Sequence, residues 1–442
     1  MPRIRWRLTT FRIIALAFLG IILTGTILLM LPVSTRPYGG ASFADAFFTA
    51  TSATCVTGLI VRDTSTFWSD FGKSVIICMI QIGGIGVITA AVMLSVFMRR
   101  KISLGQRKIM QDSISADNVG GIVKLTKFVV KGVILFELAG AAVLYPVFLR
   151  EVGPIKAIAY SLFHSVSAFC NAGFDLMGYT ERFSSLTHFQ GNVLVNVTVI
   201  ALILIGGIGF KTWGDIRTHG LRFRKYTLQS KLVLLLSVFF VAVPFVLYLA
   251  FEFGDLPAKE RVLSALFQAV TPRTAGFNTA DLNGLSEGGI ALMIMLMLTG
   301  GASGSTAGGL KITTIAVLLC AAAAAFRNHK DTTAFGRRIS SETVRTAATV
   351  LLMYHVLFLA AGIVISRIES LPLLTCLFET SSAIATVGLT LGITPGLSLV
   401  SRGILVALMF MGRVGGMTLL LSAFADKKVS SGRLPEENVN VG

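Results

Sequence analysis

Phe48-Thr49-Ala50-Thr51-Ser52-Ala53-Thr54-Cys55-Val56-Thr57-Gly58 is an aromatic residue followed by small and hydroxyl residues, ending on a glycine. The design returns three times: from Phe163 to Cys170-Asn171-Ala172-Gly173, from Phe267 to Arg273-Thr274-Ala275-Gly276, and from Phe378 to Ala385-Thr386-Val387-Gly388. The glycines lie 115, 103 and 112 residues apart, with the phenylalanine ten residues ahead in three copies and nine in the other. So long an interval marks one supersecondary unit repeated four times. Four units in one chain can enclose an axis. What they bring to it is loops of backbone carbonyls, which can replace the water shell of a small monovalent cation.

Composition sets the solvent. Of 442 residues, 54% are hydrophobic and 14% charged, with mean hydropathy +0.77, too little polar surface for a soluble globule. Apolar runs approaching the ~20 residues that cross a bilayer begin near Phe11, Lys73, Phe128, Val193, Lys231, Gly288, Val344 and Gly403. Eight spanning helices are expected, the first of them retained rather than cleaved, since it is long for a signal peptide and no small-residue cleavage site follows it.

The net charge of +17 is concentrated between spans. Arg3, Arg5 and Arg7 precede the first; Arg99, Arg100, Lys101, Arg107 and Lys108 follow the second; Lys211, Arg217, Arg222, Arg224, Lys225 and Lys231 follow the fourth; Arg327, Lys330, Arg337 and Arg338 follow the sixth; and Lys427 and Lys428 follow the eighth. Positive residues in alternate loops mark the cytoplasmic side, which puts both termini there. These loops lack interleaved aromatics and any recognised binding module, so nucleic acid is not an expected partner.

The glycine loops fall in the opposite set of connections. Each unit reads as helix, re-entrant half-helix, loop, helix, because stretches such as 42–53 and 157–169 are apolar yet too short to span. Non-helical backbone at membrane depth is tolerated only when buried in protein or lining a water-filled cavity. A half-helix entering from outside points its partially negative C-terminus at the bilayer centre, where it favours a cation. The expected units are 1–101, 102–225, 226–338 with a broken second helix, and 339–425, followed by a cytoplasmic tail over 426–442. The candidate ion-lining residues are Thr54, Cys55, Val56, Thr57 and Gly58; Cys170, Asn171, Ala172 and Gly173; Thr274, Ala275 and Gly276; and Ala385, Thr386, Val387 and Gly388.

A second glycine motif follows each loop: Ile82-Gly83-Gly84-Ile85-Gly86, Ile205-Gly206-Gly207-Ile208-Gly209, Thr299-Gly300-Gly301-Ala302 and Gly412-Arg413-Val414-Gly415-Gly416. In the first two, small residues point to close helix packing. The third continues as Ser303-Gly304-Ser305-Thr306-Ala307-Gly308-Gly309-Leu310-Lys311, a composition that should break the sixth span. A broken helix below the loops is a candidate gate; the alternative is a static kink held by its neighbours. The run resembles a phosphate-binding loop, but Leu310 separates Gly309 from Lys311 and the context is a membrane span, so nucleotide binding there is not expected. Arg413 lies 25 residues past Gly388, as Gly83 lies 25 past Gly58. An arginine at mid-span costs about 2.5 to 3.5 kcal/mol by insertion scales and should face the bundle interior. It is either an electrostatic barrier below the loops or a structural partner of Glu137, Glu252 or carbonyls freed by the broken span.

Other reactive groups are sparse. The five histidines have no ligand spacing, and no nucleophile or metal cluster that would make an enzyme stands out. His164, Gln268 and Glu379 occupy equivalent places in the half-helices, with Thr49 the counterpart in the first unit. Glu379 either tunes cation attraction or serves packing. The five cysteines lie in apolar segments, so a disulfide framework is not expected. Asn196-Val197-Thr198 matches a glycosylation triplet but lies in a span.

Together, the four units, the loops ending in Gly58, Gly173, Gly276 and Gly388, the break from Gly300 to Lys311, and Arg413 resemble the Trk/Ktr/HKT superfamily of potassium transporters over roughly residues 10 to 425. Eight spans without an extra leading pair are most like the bacterial Ktr membrane subunit, KtrB. The resemblance implies an all-α membrane protein with pseudo-fourfold, potassium-channel-like units around one pore, and a selectivity filter at the four loops, where Thr386-Val387-Gly388 is nearest the potassium-channel pattern. It implies a gate formed by residues 300–309 with Lys311 and Arg413. In this family serine at the first filter glycine goes with sodium selectivity, so Gly58 implies potassium. A homodimer, a cytosolic KtrA-like ring of RCK-type nucleotide-binding subunits and a location in the cell membrane are implied as well. The chain has no dinucleotide fingerprint of its own, so no cofactor beyond the transported ion is expected in it; the basic loops would also meet anionic lipid. The expected function is passive, gated potassium uptake. A sodium or mixed sodium/potassium conductor is the first alternative, and a cation-coupled transporter using Glu137, Glu252 and Glu379 the second.

Overall fold

The computed structural model describes residues 10–36, 39–86 and 122–415. Arg3, Arg5 and Arg7, the basic cluster over 99–108, Gly416, Lys427, Lys428 and the tail over 426–442 lie outside the described residues. The first unit comprises α1 (Thr10–Met30), the half-helix α2 (Phe43–Cys55) and α3 (Asp70–Ile85). The second comprises α4 (Ile122–Val152), the half-helix α5 (Pro154–Cys170), α6 (Val193–Gly207) and α7 (Phe210–His219). In the third, α8 (Leu228–Phe251) and the half-helix α9 (Ala258–Val270) precede α10 (Glu287–Met297) and, beyond a non-helical break, α11 (Ile312–Phe326). A short antiparallel hairpin, β1 (Thr333–Ala334) and β2 (Arg337–Arg338), leads to the fourth unit: α12 (Ser341–Glu369), the half-helix α13 (Leu373–Ile384) and α14 (Leu399–Val414).

Four helices, α1, α4, α8 and α12, are long and apolar enough to cross a membrane; the bent pair α6 and α7 is a fifth candidate. The four single helices are the first of their units and form the outer shell of the bundle. Their outward residues are large and apolar, such as Ile27, Leu135, Val238 and Leu352, each more than half exposed. Lipid accepts such a surface, which water would not. Inside it the half-helices are covered. The recurring phenylalanines Phe48, Phe163, Phe267 and Phe378 are all buried, which explains their repetition as one core position used four times.

The second helix of every unit begins with a cap. Ser69, Asn192, Ser286 and Ser398 each accept, on the side-chain oxygen, the N–H of the residue three positions on. This satisfies one of the donors a helix start leaves unpaired. The far ends are also alike. Gly86 and Gly415 cap α3 and α14 with φ of +93° and +91°, and Gly209, between α6 and α7, has φ of +88°, a conformation that glycine adopts without a Cβ penalty. Past Gly209 the chain turns by 94° into α7. The sequence singled out only the sixth span for a break, and that break is present between Met297 and Ile312; the run from Val193 is interrupted too. The diglycines act as packing positions: a Cβ on Gly83 would come within 2.0 Å of the Thr54 carbonyl oxygen, and one on Gly206 within 2.1 Å of that of Phe169. Both second helices therefore cross directly against the ends of half-helices.

Candidate cation site

Each half-helix ends in the same backbone figure. Val56, Asn171, Thr274 and Thr386 have φ of 57°, 58°, 71° and 52°, and two residues on, Gly58, Gly173, Gly276 and Gly388 have φ of 95°, 69°, 81° and 95°. The residues between them, Thr57, Ala172, Ala275 and Val387, are absent from the left-handed region. Alternating the sign of φ rotates successive peptide planes so that their carbonyls turn to one side instead of alternating as in a strand. A left-handed conformation costs a residue with a Cβ roughly 1–2 kcal/mol, and it persists only where the surroundings hold it.

The surroundings here are hydroxyl groups and returning N–H bonds. Thr57 N, Ala172 N and Val387 N donate to the carbonyls of Ser52, Ser167 and Ser382, each at 2.8 Å, and Ala275 N donates to that of Thr271 at 2.9 Å. The same four residues use their side chains. The Ser52 and Ser382 hydroxyls accept from Gly58 N and Gly388 N at 3.1 and 3.0 Å, the Ser167 hydroxyl donates to the Phe174 carbonyl at 2.7 Å, and that of Thr271 donates to the Phe277 carbonyl. All four are fully buried. Sequence reading missed them; the available signal was a hydroxyl residue five or six positions ahead of every loop glycine.

The loops meet in chain order. A Cβ built on Gly58 would lie 2.5 Å from the Ala172 oxygen, on Gly173 2.9 Å from that of Ala275, on Gly276 2.2 Å from that of Val387, and on Gly388 2.1 Å from that of Thr57. The contacts close into a ring of four, and no side chain fits at the glycine positions. All four glycines line one cavity of about 590 Å³, together with Asp175, Glu181, Arg182 and Asp281.

Behind the ring, the equivalent half-helix positions hold unlike groups. His164 Nδ1 lies 2.8 Å from the Tyr160 carbonyl and its Nε2 accepts from Leu176 N at 3.2 Å, so it bonds to the chain leaving the second loop. Glu379 accepts the Thr390 hydroxyl at 2.8 Å and that of Thr394, tying the fourth loop in the same way. Gln268 and Thr49 are buried without a side-chain partner among the described residues. Cys55 and Cys170 are free, buried thiols.

The glycine-rich break packs against half-helix ends: a Cβ on Gly309 would lie 2.6 Å from the Ala385 carbonyl oxygen. Ala302 N donates to the Gly207 carbonyl at 2.9 Å, Phe210 N to that of Gly304 at 2.8 Å, and Gly309 N to that of Gly412 at 3.2 Å. The Thr306 hydroxyl donates to the Phe169 carbonyl at the end of α5, at 3.0 Å. Lys311 Nζ folds back onto the carbonyls of Ala307 and Gly308 at 2.8 and 3.1 Å. Arg413 Nη1 donates to the Thr306 carbonyl at 2.6 Å, and its Nη2 to the carbonyls of Gly83 and Gly84, the latter at 3.1 Å. Arg413 thus joins the break of the third unit to the end of α3 in the first. Among the described residues it pairs with no carboxylate. Of the structural alternatives, Glu137 is bonded to Gln81 instead and Glu252 to Ser286, leaving carbonyls as the partners. The structure thus brings the four loop glycines into one ring and ties the break from Gly300 to Lys311 to Arg413, which bonds to carbonyls and not to Glu137 or Glu252.

Fold and loop geometry together define a polytopic membrane protein whose four glycine loops close into one ring at a polar cavity. The chain belongs to the TrkH family of cation transport proteins, whose model matches residues 8–432; it is a transporter, not an enzyme. It is 38% identical to the potassium/sodium uptake protein NtpJ of Enterococcus hirae over 100% of this chain and 99% of that protein. It is 37% identical to the Ktr system potassium uptake protein B of Bacillus subtilis over 99% and 98%. Its fold matches the crystal structure of the potassium transporter TrkH from Vibrio parahaemolyticus with a TM-score of 0.75 at 20% identity, covering 95% of this chain and 86% of that one.

Proposed function

We propose that this chain is the ion-translocating subunit of a gated potassium uptake system, with the four glycine loops as its selectivity filter. The observation that carries this reading is the closed ring of loops, each with left-handed residues at the same two positions. Partly negative half-helix termini and carbonyls turned to one side suit a monovalent cation stripped of water. The names of the Enterococcus and Bacillus relatives support potassium as the ion. The filter comprises residues 54–58, 170–173, 274–276 and 385–388; the break from Gly300 to Gly309, Lys311 and Arg413 form the gate beneath it.

In this reading the chain crosses the cell membrane eight times in four units, 1–101, 102–225, 226–338 and 339–425, in pseudo-fourfold arrangement, with a tail over 426–442 and both termini cytoplasmic. The charge bias of the loops supports that orientation. A homodimer seated on a KtrA-like, RCK-type nucleotide-binding ring, with anionic lipid on the basic face, completes the assembly; the Ktr-system relatives support a partner subunit. A sodium or mixed sodium/potassium conductor is the second reading, favoured by the pairing of potassium and sodium in the name of the Enterococcus relative. Cation-coupled transport by a carboxylate relay is disfavoured, because Glu137, Glu252 and Glu379 each bond within a separate group of residues and share no partner among the described residues.

The test compares potassium, rubidium and sodium flux into liposomes for the native chain and Gly58→Ser. The serine Cβ would sit 2.5 Å from the Ala172 oxygen at a φ of +95°, so the first loop must move. Potassium-preferring flux that becomes sodium-permissive supports the reading. Flux indifferent to the substitution refutes the filter.

A further inference from the structure

The residue just ahead of the left-handed position is small in three of the loops. Cys55, Cys170 and Ala385 occupy it, all fully buried. In the third loop it is Arg273, which is 4% exposed. Its side chain reaches α8, where Nη2 donates to the Ser237 hydroxyl at 2.9 Å and Nη1 meets the Ser237 carbonyl at 3.4 Å. Nε has no partner, and no carboxylate pairs with the guanidinium among the described residues. A buried cation held by one hydroxyl and one distant carbonyl is costly, since burial penalises charge unless it is paired and fully hydrogen-bonded.

The backbone of the same residue lies at a helix end. Arg273 N donates to the Val270 carbonyl at the end of α9 at 3.1 Å, so the residue sits at the helix C-terminus aimed at the ring. That end carries a partial negative charge that attracts any nearby cation. In the first, second and fourth units the equivalent position carries no positive charge.

We propose that Arg273 is an affinity-determining residue: a fixed positive charge behind the third loop that offsets the negative end of α9 and weakens cation binding on that side of the ring. The inference rests on the filter reading above. Conduction requires an ion to bind well enough to enter and weakly enough to leave. A permanent charge on one unit sets that balance for the whole ring, and makes the filter asymmetric in potential as well as in sequence.

The test uses the purified full-length chain, with potassium binding measured by titration calorimetry and rubidium uptake by proteoliposomes. Arg273→Gln removes the charge and is expected to lower both the potassium Kd and the rubidium KM by about threefold to tenfold, the effect of one unit charge acting across a partly polar medium. Maximal uptake should fall as release slows. Arg273→Lys, which keeps the charge, should restore the native affinity. Ser237→Asp leaves the arginine in place and supplies the missing counter-charge; it should shift Kd in the same direction, and it decides the matter if Arg273→Gln does not fold. A folded Arg273→Gln or Ser237→Asp with unchanged or raised Kd overturns the proposal, as does an Arg273→Lys that behaves like the glutamine variant, since a packing role alone would not track charge. Gly58→Ser is measured alongside. If it alters potassium binding while the Arg273 series does not, the role of Arg273 fails and the filter stands; if neither has an effect, the filter reading itself has failed.

Discussion

At the scale of single residues, the site depends on backbone held in conformations that its sequence does not prefer. Val56, Asn171, Thr274 and Thr386 are left-handed without being glycine, and buried hydroxyls tie down the loops around them. The glycines were legible in the sequence because glycine at a fixed period is a conspicuous pattern. The hydroxyls of Ser52, Ser167, Thr271 and Ser382 were not, since serine and threonine are common in such segments and only the hydrogen bonds of the folded loop single these out. Arg413 shows a different limit. Its cost in a membrane announced an interior role, but its partners are carbonyls of Thr306, Gly83 and Gly84, distant in the chain and without side-chain chemistry to read. Arg413→Ala removes a positive charge from the proposed gate. We expect the initial rate of rubidium uptake in proteoliposomes to rise by at least about threefold. A folded variant with unchanged or slower uptake would make the arginine a strut and not a barrier.

At the scale of elements, the unit of construction is a half-helix resting on a second helix that arrives at its end. Hydropathy located the outer helices well, because α1, α4, α8 and α12 face lipid and are apolar along their length. It did worse for the second helices, which stop at or just ahead of Gly86, Gly209 and Gly415. Past Gly209 the apolar run gives way to the polar α7, with Lys211, Asp215 and Arg217, and the 94° bend rests on a single glycine at positive φ that hydropathy does not mark. The diglycine packing was legible, because few other reasons put two small residues together in a spanning helix. Gly206→Ala would place its Cβ 2.1 Å from the Phe169 carbonyl oxygen and 2.8 Å from the Thr306 hydroxyl. Backbone cannot yield as a flexible side chain would, so the helix must shift, at a cost of about 1–3 kcal/mol. Thermal unfolding in detergent should show a lower Tm and uptake should fall; a variant with native Tm and native uptake would contradict this packing. Gly214→Ala, where an added Cβ meets nothing within 4 Å, is the control.

At the scale of the whole molecule, every joint of the ring carries long-range bonds. Units one and two are joined by Gln81 to Glu137 at 3.1 Å and Phe183 N to Asp63 at 3.1 Å. Units two and three are joined by Gln190 to Ser264 at 3.0 Å and Leu186 N to the Asn278 carbonyl at 2.9 Å. Gly309 N to the Gly412 carbonyl joins three and four. The last joint brings the ends of the chain together: Asp45, buried at the start of α2, accepts from Arg402 on α14 at 3.3 Å and from Arg62 at 2.9 Å. Asp45→Asn weakens that joint, and charge-assisted hydrogen bonds of this kind contribute about 1.5–3 kcal/mol each. A lower Tm is expected with ion preference retained, because Asp45 stands at the opposite end of α2 from the proposed filter loop; altered preference at native Tm would assign it to the ion path.

The most direct measurement is the anomalous scattering of rubidium in crystals of the full chain. Density is expected on the axis of the ring, between the carbonyls of residues 56–58, 171–173, 274–276 and 386–388. Rubidium bound elsewhere in the membrane region, with that ring empty, would contradict the account.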